Sequence, residues 1–147
     1  MEIQIKKIFD DANIPTRGSE DAAGYDLYAY KPGDREATYI EPHSTKMIHT
    51  GIACAIPRGY FGAVFARSGL AKKHGLRPAN CVGVVDADYR GEIMAALHND
   101  TEEGQVVFHG DRIAQLVIIP YLPVEFTEVD ELPETVRGDG GFGSTGK

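Results

Sequence analysis

The sequence predicts an all-β fold, a barrel or sandwich, with one short helix. Three observations carry that reading. Short apolar runs recur along the chain. Glycine, proline or Asn-Asp turns break them at short intervals. A single stretch has helix punctuation at both ends.

Taken in order, IQIKKIF (3–9) alternates apolar and polar residues as a half-buried strand does. AAGYDLYAY (22–30) is an alternating aromatic strand whose only charge is Asp26. TKMIHTGIACAI (45–56), YFGAVFA (60–66), EIMAAL (92–97), QVVF (105–108) and RIAQLVII (112–119) are apolar runs of strand character. In ARSGLAKKHGL, Ser68 is a good N-cap, LAKKH favours helix and Gly75 is a good stop, which predicts a helix over 69–74. No repeat or low-complexity segment precedes the tail. DELPETVRGDGG (130–141), acidic and then glycine-rich, has the composition of a linker. The expected organisation is one domain over 1–147, with a barrel over about 1–129 and a linker and arm over about 130–147.

A length of 147 residues suits one domain with a proper core, and 42% hydrophobic with 25% charged residues is ordinary for a soluble protein. No apolar run is long enough to cross a bilayer, and MEIQIKKIFDD lacks the apolar centre of a signal peptide. A cytoplasmic protein without a membrane partner is expected. Cys54 and Cys81 form no C-x-x-C pair and are expected to be buried free thiols. The histidines, at 43, 49, 74, 98 and 109, have no metal-ligand spacing. A net charge of −7 argues against a nucleic-acid partner and repels anions on average. Phosphates can bind only where arginines and backbone N–H groups gather locally.

Five places could carry chemistry. Arg67, Ser68 and Gly69, at the helix start, combine a guanidinium, a hydroxyl and free N–H groups, an arrangement suited to an anion. It equally suits a plain cap beside a solvated arginine. NCVGVVDADYRGEI (80–93) reads as two apolar strands about a tight turn. Asp88 there fits an ordinary turn aspartate, whereas Asp86 ends the buried-looking VGVV run and could orient and deprotonate a water. A carboxylate is a weak base at neutral pH, so most of the rate would come from position and charge neutralisation. Gln115 is the only polar residue of IAQLVII; a lone amide in a buried strand needs backbone or a ligand oxygen. Asp26 is either a hydrogen-bonded aspartate or the partner of a ligand-bound cation. The tail RGDGGFGSTGK matches the phosphate-loop pattern from Gly141 to Lys147 except for its last position, yet no helix follows to complete such a loop. Composition favours a frayed terminus; an arm closing over a ligand is the alternative.

The order of these pieces is more specific than any one of them. AGYDL, RSGLA, NCVGVVDADYRGE, GDRIAQLV and RGDGGFGSTG resemble, in sequence, the five motifs of the dUTPase family, the deoxyuridine triphosphate nucleotidohydrolases, from about residue 22 to the C-terminus. The resemblance implies a jelly-roll-like β-barrel that forms a homotrimer, with active sites at subunit boundaries. It implies hydrolysis of dUTP to dUMP and pyrophosphate, which limits uracil in DNA and supplies dUMP for thymidylate synthesis.

Carried over residue by residue, Asp86 would activate the water attacking the α-phosphorus. Arg67, Ser68, Gly69 and Gln115 would hold phosphates. Asn80, with backbone near Val84, Val85 and Met94, would line a uracil-binding hairpin, and Tyr89 would lie against the deoxyribose. From the arm, Arg137, with Ser144 or Thr145 beside Gly143, would hold the γ-phosphate while Phe142 covers the uracil. The glycine-rich tail is then a lid over a neighbouring subunit's site. The implied cofactor is magnesium, held mainly by the substrate phosphates and reached by Asp26 through water. Ala66 stands where the family commonly has proline.

Two other readings differ in kind. A dCTP deaminase-like enzyme shares the fold, but typically has R-S-S where this chain has R-S-G, and it needs a catalytic glutamate in its pocket, where the hairpin here offers Asp86 instead, with Glu92 beyond the turn. A non-catalytic regulatory protein on the same fold would need a surface insertion, for which 147 residues leave little length.

Overall fold

The computed structural model describes residues 1–33 and 37–141. Among these, the strands are β1 (Gln4–Lys7), β2 (Thr16–Arg17), β3 (Tyr25–Tyr28), β4 (Thr38–Ile40), β5 (Thr45–Ile48), β6 (Ile52–Ala55) and β7 (Tyr60–Phe65). The helix α1 (Ser68–His74) follows, then β8 (Leu76–Pro78), β9 (Val82–Val85), β10 (Ala95–Asn99), β11 (Gln105–Val107) and β12 (Arg112–Pro120). The largest sheet runs β2-β3-β12-β7-β9; a second runs β5-β10-β8, and β1-β6 and β4-β11 form two-stranded ribbons. Every pairing is antiparallel.

One core lies between these sheets, filled by Leu27, Ile40, Ile52, Leu76, Ile93, Leu97 and Ile113, each under 2% exposed or at that limit. Burying such a side chain stabilises by roughly 1.5–3 kcal/mol, so the sheets hold together through this shared interior. Its one large polar group, Asn99, is fully buried and fully used. Its amide donates to the carbonyls of Ile40, Glu41 and Glu103, and its oxygen accepts from the Thr101 backbone and hydroxyl.

The expected runs become strands with three changes. The stretch 45–56 is two strands, because Gly51 at φ 72 turns the chain between them. β2, β4 and β8 have two or three residues, too few to display a period of two. α1 begins at Ser68 rather than after it: Arg67 is the N-cap, in extended conformation, without a side-chain cap bond. Gly75 closes the helix in the left-handed region as expected, after Lys72 and Lys73, whose charge suits a helix C-terminus. Neither cysteine is in a disulfide. Cys54 is buried, and burial pushes its thiol pKa up. Cys81 is exposed, contrary to expectation, because it sits in the turn between β8 and β9.

β12 ends at Pro120, and residues 121–141 carry no helix or strand. None of the helices of the described residues is long and apolar enough to cross a membrane.

Candidate active site

The turn from β7 into α1 meets the adjacent ends of β3 and β12 in a cleft of about 210 Å³. Asp26 lies there, 9% exposed, and it is held from two sides. Arg67 Nε donates to one carboxylate oxygen at 2.7 Å, and Arg112 Nη1 to the other at 3.3 Å. Arg67 also donates to the Arg112 carbonyl at 3.3 Å. Arg67 is therefore not a solvated surface charge. The cluster combines one carboxylate with two guanidiniums, a net positive site in an acidic chain.

Arg112 was not among the residues singled out from the sequence. In a regular strand, residues 112 and 115 face opposite sides. Here the β3–β12 register shifts between Arg112 and Ala114, and this bulge turns Arg112 toward the same cleft as Gln115. The available signal was the adjacent apolar pair Ile113-Ala114, both buried, where alternation would bury only one.

Gln115 donates to the Ala66 carbonyl at 2.9 Å, the backbone partner that a lone amide in a strand needs. Its oxygen lies against Gly24, where a Cβ would come within 2.6 Å of Oε1; the close approach requires glycine. β12 is not buried on both faces as the apolar run suggests. Ala114 and Leu116 face the core, whereas Gln115 and Val117 are half-buried on the other side. Ser68 and Gly69 complete the cleft wall. As Ser68 lies inside the first turn, its hydroxyl is not used as a cap.

The second group of residues folds into a different cleft. Asn80, Val84, Val85, Asp86, Tyr89 and Met94 line a slot of about 250 Å³ between β9 and the returning chain. The two sides are not the paired strands of a hairpin. β9 pairs with β7 in the large sheet, while the chain returns into β10 of the second sheet. The slot-facing edge of β9 thus has no ladder partner among the described residues, and its backbone donors and acceptors remain available. A second departure from expectation is that, of Val82, Gly83, Val84 and Val85, only Val85 is buried: Val82 and Val84 share an exposed face of β9.

Asp86 is exposed on the ridge between this slot and a larger open cleft of about 1180 Å³ bounded by Arg58, Arg90 and Tyr121. Its carboxylate makes no hydrogen bond or ion pair with the described residues. Arg90 does not neutralise it, since its guanidinium closes its own turn onto the Ala87 and Tyr89 carbonyls at 2.7 and 2.8 Å.

The two smaller clefts share no lining residue. The register shows why. Phe65 is opposite Val82 and Gly62 is opposite Val85, so Asp86 lies beside the start of β7 and Arg67 beyond its end. From Phe61, the position facing Asp86, to Arg67 is six residues, or about 20 Å at the ~3.3 Å rise of an extended strand. A base must act within hydrogen-bond reach or through one water. Within one chain, Asp86 cannot serve a group bound by Arg67 and Gln115.

Arg137 is exposed and donates to Gly140 within its own turn at 2.7 Å; it lines neither cleft. Phe142, Gly143, Ser144 and Thr145 lie outside the described residues.

A family profile described as dUTPase matches residues 10–146. The deoxyuridine 5'-triphosphate nucleotidohydrolase of Nautilia profundicola is 45% identical over 147 residues, covering all of both chains. That of Desulfitobacterium hafniense is 53% identical over 134 residues, 90% of this chain and 87% of its own. Among solved structures, a variant of the phage 80alpha dUTPase superposes with a TM-score of 0.87 at 29% identity, covering 97% of this chain and 98% of the other.

Proposed function

The chain belongs to the dUTPase family, and from that premise we propose how its two clefts divide the hydrolysis of dUTP to dUMP and pyrophosphate. The fold is the family's all-β, jelly-roll-like one with a single short helix. The observation that carries the reading is the separation of the clefts. Each holds half of a phosphate-ester hydrolysis site, and one chain cannot join them. The family's homotrimer supplies the remedy: the phosphate cleft of one chain faces the base slot of a neighbour.

In the phosphate cleft, Arg67, Ser68, Gly69 and Gln115 bind the triphosphate through guanidinium, hydroxyl, backbone and amide donors. Arg112, oriented by the bulge, joins them. Such fixed donors stabilise charge as it develops on the reacting phosphoryl group. In the base slot, the unpaired edge of β9 at Val84 and Val85, with Asn80 and the backbone at Met94, reads the hydrogen-bonding edge of uracil. Cytosine presents the wrong donors, and the 5-methyl of thymine needs room the slot lacks. Tyr89 packs on the deoxyribose and leaves no space for a 2′-hydroxyl.

Asp86, free of partners, takes a proton from the attacking water. The water oxygen bonds to the α-phosphorus, the bond to the α,β-bridging oxygen breaks, and pyrophosphate departs. Arg137 and the residues from Phe142 to Thr145 close over the nucleotide from the arm.

The family's magnesium dependence fits the donors present. Among the described residues, Asp26 is the only carboxylate lining the phosphate cleft, and its two arginine contacts use two of about four acceptor positions. A single carboxylate suits an ion that keeps its waters and takes its other ligands from phosphates. When bound, magnesium neutralises charge on the triphosphate and polarises its oxygens. Asp26 would hold that ion's waters while keeping Arg67 and Arg112 in place.

A deaminase-like reading gains nothing from Glu92, whose carboxylate is engaged by His49 and by the backbone of Thr50 and Gly51. The test is pyrophosphate release with magnesium from dUTP, dTTP, dCTP and UTP, beside an Asp86→Asn variant. Release from dUTP, reduced at least ~100-fold in the variant, is expected for a general base. Ammonia release from dCTP, or silence toward all four, would sink the reading.

A further inference from the structure

Glu92 borders the base slot, yet none of its carboxylate contacts is to β9. Oε1 accepts the backbone N–H of Thr50 at 3.1 Å and of Gly51 at 2.7 Å, and Oε2 meets His49 Nδ1 at 2.8 Å. All three partners belong to the connection between β5 and β6. That connection is tied back in turn: the Thr50 hydroxyl donates to the Ile93 carbonyl, and Ile93 donates to the Ile52 carbonyl at 2.9 Å. It is also held from beneath, since a Cβ at Gly51 would lie 2.7 Å from Ala12 and 3.2 Å from the Tyr30 ring. On the slot side, Tyr89 donates its hydroxyl to the Glu92 carbonyl at 2.9 Å.

We propose that Glu92 is a specificity-determining positioning residue that sets the width of the base slot. Residues 92–94 belong to no strand, and no ladder bond spaces them from β9. Their distance from β9 therefore depends on what holds them on the far side, and that is the Glu92 carboxylate with Thr50, added to the Ile93 N–H bond to Ile52 and the buried Ile93 side chain. Without it, the segment can drift outward, or close to pair with the free edge of β9. Either movement also displaces Tyr89. Rejection of a 5-methyl group is a matter of one carbon's room, so a small widening admits it. The inference rests on the reading of the slot as the uracil and deoxyribose site.

Pyrophosphate release from dUTP, dTTP and UTP is measured with magnesium for the wild type, Glu92→Ala, Glu92→Gln and Thr50→Val. Wild-type preference for dUTP tests the underlying reading by itself; its absence overturns that reading before the variants are compared. In Glu92→Ala, the preference for dUTP over dTTP is expected to fall about 10-fold, the scale on which one methyl group is discriminated, with the loss on dUTP carried by KM more than by kcat. Glu92→Gln is expected to restore the preference, because its amide oxygen can accept both N–H groups and its NH₂ can donate to His49. Thr50→Val conserves volume and shifts the preference in the same direction as Glu92→Ala, so a folding failure of the alanine variant leaves the inference testable. It is overturned if a folded Glu92→Ala and Thr50→Val keep the wild-type preference within about twofold, or if Glu92→Gln is as damaged as Glu92→Ala.

Discussion

Asp26 and Arg67 stand 41 positions apart in sequence and meet at 2.7 Å across the mouth of the phosphate cleft. With side chains 12% and 25% exposed, the pair is shielded enough from water to orient the guanidinium. Arg67→Lys keeps the charge but loses the Nε donor and the planar fork. It is expected to reduce kcat/KM on dUTP by about 100-fold, the scale of a lost donor to the developing phosphoryl charge. Urea unfolding is expected to show a loss of about 1–3 kcal/mol for the partly unsatisfied Asp26.

Gly24 and Gln115 are coupled by contact. A methyl at position 24 would sit 2.6 Å from Gln115 Oε1 and push the amide off the Ala66 carbonyl. Gly24→Ala is expected to weaken dUTP hydrolysis to the same degree as Gln115→Ala. The double variant is expected to be little worse than either, with a coupling of about 1 kcal/mol or more from the cycle. Additive losses would show that the two act independently.

Asn99 serves the fold alone. Its removal in Asn99→Ala leaves the buried carbonyl of Ile40 and the part-buried carbonyls of Glu41 and Glu103 without this donor. The expected cost is about 3 kcal/mol, one or two buried polar groups left unpaired, read as a lower urea midpoint with an unchanged slope. Turnover by the folded fraction is expected to stay at the wild-type rate.

Arg77 and Asp100 form a bidentate pair on the outer face of the second sheet, at 2.7 and 2.9 Å. The hydrogen bonds from Arg77 hold the Asp100 carboxyl below the usual carboxylate range. A depressed acid stabilises the fold while it is ionised, and that contribution disappears as pH falls through its folded pKa. Melting temperature is expected to drop faster below about pH 4 in the wild type than in Asp100→Asn, so the two curves converge in acid. Parallel curves would remove Asp100 from the acid response.

Much of this was legible in the sequence. The apolar runs located the longer strands, and Gly75 marked the helix end by the conformation only glycine takes easily. What escaped depends on tertiary placement. Arg112 faces the cleft because of a bulge, which period-two reasoning cannot anticipate. Ser68 looks like a cap, but Arg67, drawn to Asp26, takes the cap position, and the helix starts one residue early. VGVV reads as buried, yet three of its four residues are not, because Val82 and Val84 share an exposed face of β9. Sequence order put the five motifs in one chain; the register of β7 and β9 divides the first four between two clefts.

That separation gives the most direct test. Asp86→Asn and Arg67→Ala chains, each expected to be inactive alone, are co-assembled in equal amounts and mixed trimers are isolated by distinct tags. If every site pairs the phosphate cleft of one chain with the base slot of another, each isolated mixed trimer regains one of its three sites, about one third of the wild-type activity, since only one of its three chain pairings joins an intact Arg67 to an intact Asp86. If verified mixed trimers remain inactive, the two halves must work within one chain, and the composite site is wrong.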